Sequence, residues 1–90
     1  MRAYIVECDI WSRKKDCLMS SICQRIFLSK KAAEKYLKEA ATDCYNHHKD
    51  YQEVAMEKSK DANVYTVRCS DYTDMFFFIE NVAFDLFPHF

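Results

Sequence analysis

The stretch that decides the fold is SKKAAEKYLKEAATDCY at residues 29–45. Ser29 is a good N-cap, and the Ala, Lys, Leu and Glu residues that follow it have high helix propensity. Apolar residues recur at spacings of three and four, which predicts an amphipathic helix that runs to about His48 and packs on a sheet. The predicted buried stripe consists of Ala33, Tyr36, Leu37, Ala40, Ala41, Cys44 and Tyr45.

Two strands are predicted before this helix. From residue 4 to residue 11 the sequence alternates with a period of two, which indicates a strand with one buried face and one mixed face. The buried set is Tyr4, Val6, Cys8 and Ile10, and the mixed set is Ile5, Glu7, Asp9 and Trp11. Residues 18–28 fit a helix by the spacing of Leu18, Ile22 and Ile26, but they are also rich in β-formers. We predict a strand, because the polar turn after residue 11 joins two runs of matching length into a hairpin.

Three more strands are predicted after the helix, at residues 51–58, 63–69 and 75–85. The order is then ββαβββ. This order predicts a single α+β domain over residues 1–90, in which one long helix packs on one face of an antiparallel sheet.

Composition excludes several classes of protein. The chain of 90 residues contains no glycine and one proline, Pro88, so it has neither a glycine-rich phosphate loop nor a dinucleotide fingerprint. Five cysteines without a Cys-x-x-Cys pair make a disulfide scaffold unexpected. No apolar run approaches the roughly 20 residues that span a bilayer. We therefore expect a cytoplasmic protein without a cofactor or a membrane partner.

The stretch DCYNHHKD at residues 43–50 is the main candidate for chemistry. Cys44 and His48 are four residues apart and share a helix face, as two metal ligands or a catalytic pair would. However, no second close-spaced pair completes a four-ligand zinc site. A thiol near a helix C-terminus also has the helix dipole against its ionisation. We interpret the stretch as a helix end, with no metal site, no catalytic residue and no enzymatic activity.

Charge differs between the two parts of the chain. Residues 1–60 carry 12 basic and 9 acidic side chains, whereas residues 61–90 carry 1 basic and 5 acidic. The basic groups that could contact phosphates are Arg13, Lys14 and Lys15 in the hairpin turn and Lys30, Lys31, Lys35 and Lys38 on the helix. They support an alternative function, a small nucleic-acid-binding regulator that uses the hairpin turn and the helix face.

The aromatic run MFFFI at residues 75–79 points to a protein partner instead. Alternate residues of a strand lie on opposite faces and one helix covers only one of them, so one aromatic set should stay partly exposed. Two alternatives could cover this aromatic set. The tail at residues 86–90 could fold back over it, or a second copy could pack on it in a homodimer. The predicted partner-binding residues are Asp71, Tyr72, Asp74, Phe76, Phe78, Glu80 and Asp85.

Three segments carry a resemblance to a known group: AYIVEC at residues 3–8, IFLSKKAAEKYL at 26–37 and FIENV at 78–82. The chain resembles small proteins encoded by phages and mobile elements of bacteria. Some of these are similar to inhibitors of host defence, including anti-CRISPR proteins. The resemblance implies a non-enzymatic inhibitor that binds a bacterial defence nuclease in the host cytoplasm. It carries over no site residue, because the group has no shared site.

Overall fold

The computed structural model describes residues 1–60 and 63–84 and has the predicted α+β fold. Its elements, in chain order, are β1 (Arg2–Ser12), β2 (Cys17–Phe27), α1 (Lys30–Lys49), β3 (Val54–Lys58), β4 (Tyr65–Cys69) and β5 (Thr73–Ala83). The strands form one antiparallel sheet in the order β2-β1-β5-β4-β3. The order ββαβββ is therefore confirmed. The predicted partner residue Asp85 and the tail at 86–90 lie outside the described residues.

Local hydrogen bonds fix both ends of α1. The hydroxyl of Ser29 accepts from the backbone N–H of Ala32 at 3.2 Å, which confirms the predicted N-cap. At the other end, the backbone N–H groups of Tyr51 and Gln52 donate to the carbonyl of His48 at 3.0 and 3.1 Å. These bonds extend the turn of the chain beyond the helix. The predicted strand at 51–58 consequently begins only at Val54.

The core lies between α1 and one face of the sheet. The predicted stripe is confirmed: Ala33, Leu37 and Ala41 are fully buried, and the other four members are partly buried against the same cluster. The sheet contributes Val6 and Cys8 of β1, Tyr65, Val67 and Cys69 of β4, and Met75 and Phe77 of β5.

The hairpin prediction for residues 18–28 is confirmed, since β2 pairs with β1 along its whole length. Strand β2 forms one edge of the sheet, and its side chains are exposed except for the half-buried Phe27. Its register with β1 shifts twice, between Val6 and Glu7 and between Ile10 and Trp11. Such irregularities discourage an edge strand from pairing with another chain. Strand β5, in contrast, lies at the centre of the sheet.

Candidate protein-binding face

The face of the sheet opposite α1 is covered by no helix or strand within residues 1–60 and 63–84. Residues paired across antiparallel strands share a face, so the pairing identifies which side chains lie there. We call this surface the open face. It includes Ile5, Glu7, Asp9 and Trp11 of β1, Leu18, Ser21, Cys23 and Ile26 of β2, Thr66 and Arg68 of β4, and Asp74, Phe76, Phe78 and Glu80 of β5.

Apolar and acidic side chains alternate in position across the open face. Phe78 lies beside Glu7, and Phe76 lies beside Asp9. Leu18 and Ile26 at the β2 edge are 51% and 59% exposed, whereas Phe76 and Phe78 in the middle of the sheet are half-buried. The face therefore combines apolar area with a majority of carboxylates among its charged groups, beside the arginine Arg68 of β4, a composition that suits a basic, partly apolar partner.

The structure brings together only part of the predicted partner set. Phe76, Phe78 and Glu80 lie on the open face. Asp71 and Tyr72 are exposed in the β4–β5 turn, at one end of the sheet. Asp74 is only 4% exposed and forms an ion pair with Arg13, so its carboxylate is not available to a partner.

Other open-face residues were absent from that predicted set. They include Ile5, Glu7, Asp9 and Trp11 of β1, Leu18 and Ile26 of β2, and Arg68 of β4. The period-two pattern of residues 4–11 already contained a signal for four of them, because it separated a mixed face from a buried one. The pattern could not show that β1 lies beside β5. This neighbourhood places the mixed face of β1 and the aromatic residues of β5 on one surface.

Carboxyl groups on the open face influence one another. The pKa of Glu7 is raised above its ordinary value, first because the group is partly buried and then because the Glu80 carboxyl lies next to it. Asp9 contributes further repulsion to Glu7 and accepts a hydrogen bond from the Ser21 hydroxyl. A cation placed between Glu7 and Glu80 would relieve this repulsion, so the pair is suited to receive a basic group.

The stretch at residues 43–50 forms the last turns of α1, as predicted. The Nδ1 atom of His48 lies 2.9 Å from the carbonyl oxygen of Cys44 and 3.8 Å from its sulfur. The Cys44 thiol points into the core, where Sγ lies 3.4 Å from Sδ of Met75. Burial raises the pKa of Cys44 to about 11, with a smaller contribution from Cys69. A thiol of this kind is mostly protonated at neutral pH, which is unfavourable for a nucleophile or a metal ligand.

No group of three or more His, Cys, Asp or Glu side chains that could hold a metal ion occurs within residues 1–60 and 63–84. The sequence-based prediction that this protein binds no metal stays a prediction, to be tested on the purified protein.

The two predicted basic groups lie at opposite ends of the sheet. The β1–β2 turn follows Ser12, which pairs with Thr73, whereas α1 begins after Phe27, which pairs with Tyr4 at the other end. Arg13 is moreover held by Asp74 and by the carbonyl of Cys69, to which it donates at 2.9 Å. The turn and the helix lysines therefore cannot form one continuous phosphate-binding surface.

Comparison with protein-family models, with curated proteins and with solved structures gives no match to this chain. Among the described residues, no helix combines the length and the apolar character that a membrane crossing requires.

Proposed function

We propose that this protein acts by binding another protein through the open face and inhibits that partner without catalysis. The observation that supports this most directly is the juxtaposition of Phe76 and Phe78 with Glu7, Asp9 and Glu80 on a sheet face that no described element covers. Apolar area supplies affinity, whereas carboxylates select a basic partner and orient it.

The class of partner follows from charge and from the resemblance. An acidic, aromatic face fits a surface that carries lysine or arginine, and enzymes that act on nucleic acids have such surfaces because they bind phosphates. The resemblance to phage-encoded inhibitors of host defence names the same class, a bacterial defence nuclease such as a CRISPR effector. Occupation of its basic groove would exclude the nucleic acid.

Affinity capture with a matched pair of variants tests this proposal. The wild-type protein is immobilised, bacterial lysate is passed over it, and recovered proteins are identified by mass spectrometry and assayed as nucleases with and without added inhibitor. We expect recovery of a nuclease that the wild type inhibits and that the double variant Phe78→Ser, Glu80→Lys neither binds nor inhibits. The control Lys14→Glu, Lys15→Glu in the β1–β2 turn should behave like wild type.

Two results would overturn the proposal. One is recovery of no partner together with measurable turnover in a hydrolase screen, which would indicate an enzyme. The other is equal inhibition by wild type and by the Phe78→Ser, Glu80→Lys variant, since the open face would then have no part in binding.

The alternative function is nucleic-acid binding through the hairpin turn and the helix face. The structure is consistent only with the part of it that uses the helix lysines. Arg13 is already held by Asp74, and the remaining turn lysines lie at the opposite end of the sheet from the helix lysines. The helix lysines, however, belong to a larger basic cluster than the sequence indicated.

A further inference from the structure

A cleft of about 540 Å³ lies on the helix side of the sheet, between the first half of α1 and the segment that joins β3 to β4. We call it the lysine cleft. Its described lining residues are Lys31, Glu34, Lys35, Lys38, Lys58, Ser59, Lys60, Asn63 and Tyr65. Five of these are lysines and one is a glutamate, so the lining carries an excess of four positive charges.

The fold explains why these lysines converge. Lys31, Lys35 and Lys38 follow one another at spacings of four and three and therefore share one face of α1. Lys58 pairs with Tyr65, whose buried side chain faces α1, so the Lys58 side chain is on the helix side of the sheet. The Lys58 ammonium lies 5.6 Å from the centre of the Tyr65 ring.

No ion pair within the described part of the chain joins a cleft lysine to a carboxylate. The one salt bridge among those residues joins Arg13 to Asp74, at the other end of the molecule. Like charges held close together repel one another, and the repulsion decreases when an anion binds between them. A row of ammonium groups on the surface of a helix is ordinary, but convergence with lysines from a second segment forms a concave cationic site.

We propose that the lysine cleft binds the phosphate backbone of nucleic acid. Lysine ammonium groups bind phosphates as point charges, and the described lining residues include no arginine that could read the edge of a base. The aromatic residue of the lining, Tyr65, is 8% exposed and therefore offers little surface on which a base could stack.

From these features we infer contacts to phosphates rather than to bases, without sequence preference. Lys31 and Lys38 are separated by about 10 Å along the helix at 1.5 Å per residue, so the cleft extends beyond a single phosphate group.

The position of the cleft makes this activity independent of the open face. The cleft lies on the helix side of the sheet and the open face lies on the other side, so both can be occupied at once. A basic protein bound to the open face and a nucleic acid bound in the lysine cleft would then lie on opposite sides of the sheet.

Fluorescence anisotropy with a labelled 20-nucleotide oligo(dT) tests the proposal on the full chain. For single strands the logarithm of affinity falls with the logarithm of salt concentration by about 0.7 per phosphate contact, so four contacts give a slope of about −2.8. We expect binding at 50 mM salt that weakens about 50-fold at 200 mM. The variant Lys35→Glu, Lys38→Glu should lose at least about 30-fold in affinity at 50 mM salt.

The control Lys14→Glu, Lys15→Glu makes the same change in net charge at the opposite end of the sheet and should lose less than about 3-fold. All four substituted residues are exposed, and circular dichroism of each variant verifies that the fold is intact.

Competition distinguishes the sources of phosphate. Displacement of the oligonucleotide by poly(A) at equal phosphate concentration supports the proposal, since the bases differ and the backbone charge does not. Binding of inorganic polyphosphate or ATP without binding of the oligonucleotide would overturn the assignment to nucleic acid. Equal losses in the cleft variant and the control would overturn the assignment to this cleft, as would the absence of binding at 50 mM salt.

Discussion

The guanidinium of Arg13, in the β1–β2 turn, forms an ion pair with the buried carboxylate of Asp74 at the start of β5. The same guanidinium donates to the carbonyl of Cys69 at the end of β4, and the backbone N–H of Arg13 donates to the carbonyl of Tyr72 at 2.8 Å. One side chain thus fixes a hairpin turn against two strands that follow it by more than fifty residues.

Arg13→Ala should destabilise the protein by about 2–3 kcal/mol, because it leaves the Asp74 carboxylate buried without its charged partner. The loss is below the roughly 3–5 kcal/mol of a fully buried pair, since the Arg13 side chain is 34% exposed. Urea unfolding monitored by circular dichroism measures it. Lys14→Ala, next in the chain and exposed, should change stability by no more than about 0.5 kcal/mol. An equal effect of both substitutions would contradict a structural role for the ion pair.

Phe77 and Phe78 separate the two faces of β5. Phe77 is 4% exposed beneath α1, and its truncation to Ala should cost about 3–5 kcal/mol. Phe78 is half-buried on the open face, so its truncation to Ala should cost only roughly 1–2 kcal/mol of stability but should weaken association with a partner. Chemical unfolding measures the loss of stability in both variants.

Sedimentation at several protein concentrations measures association of Phe78→Ala and wild type. A second copy is one possible occupant of the open face, and in that case the wild type should be a dimer that Phe78→Ala dissociates. If both substitutions destabilise a protein that stays monomeric throughout, the open face is covered within the monomer and its role as a partner surface loses its main support.

Glu7→Gln should stabilise the folded protein at neutral pH, because burial and the Glu80 carboxyl raise the pKa of Glu7. A carboxyl whose folded-state pKa is raised contributes stability below its unfolded value of 4.5, and this contribution is lost as pH rises through the folded pKa. The gain in unfolding free energy of Glu7→Gln over wild type should therefore be larger at pH 7 than at pH 4. Glu39→Gln on the exposed side of α1 is the control. A gain that does not change with pH would contradict the proposed interaction of the two carboxyls.

The five cysteines should divide into two classes in an alkylation experiment. Cys17 and Cys23 are exposed on β2, whereas Cys8 and Cys69 are buried and Cys44 points into the core. Burial raises the pKa of Cys8 to about 12, so its thiol is also poorly ionised. Iodoacetamide at pH 8, followed by mass spectrometry, should label Cys17 and Cys23 rapidly and the other three slowly. Rapid labelling of Cys44 would contradict its assignment to the core.

Zinc content tests the assignment of residues 43–50 as a helix end. The Cys44 thiol lies against Met75, and burial raises its pKa. Because zinc binds the thiolate, we expect well under one equivalent of zinc. Elemental analysis of protein purified without a tag and without chelator measures it. A stoichiometric amount that survives dialysis would contradict the prediction that this protein binds no metal.

The sequence by itself determined the helix and the two faces of β1, and it favoured the hairpin over a helix at residues 18–28. The Ser29 cap, the stripe through Leu37 and the alternation of residues 4–11 are properties of neighbouring residues, and each is fixed by the backbone geometry of its own element. The start of β3 was placed too early because Tyr51 and Gln52 bond to the end of α1, a contact that β-propensity does not report.

Only the tertiary structure decided which elements are neighbours. The order β2-β1-β5-β4-β3 places β5 in the centre of the sheet and adds Glu7 and Trp11 to the surface of Phe78. The same order buries Asp74 beside Arg13 and brings Lys58 to the lysines of α1. These relations join residues that are distant in the chain, and they depend on which strand pairing buries the most apolar surface under one helix. Local periodicity specifies the faces of each element, whereas the choice of partner for each face is made by packing of the whole chain.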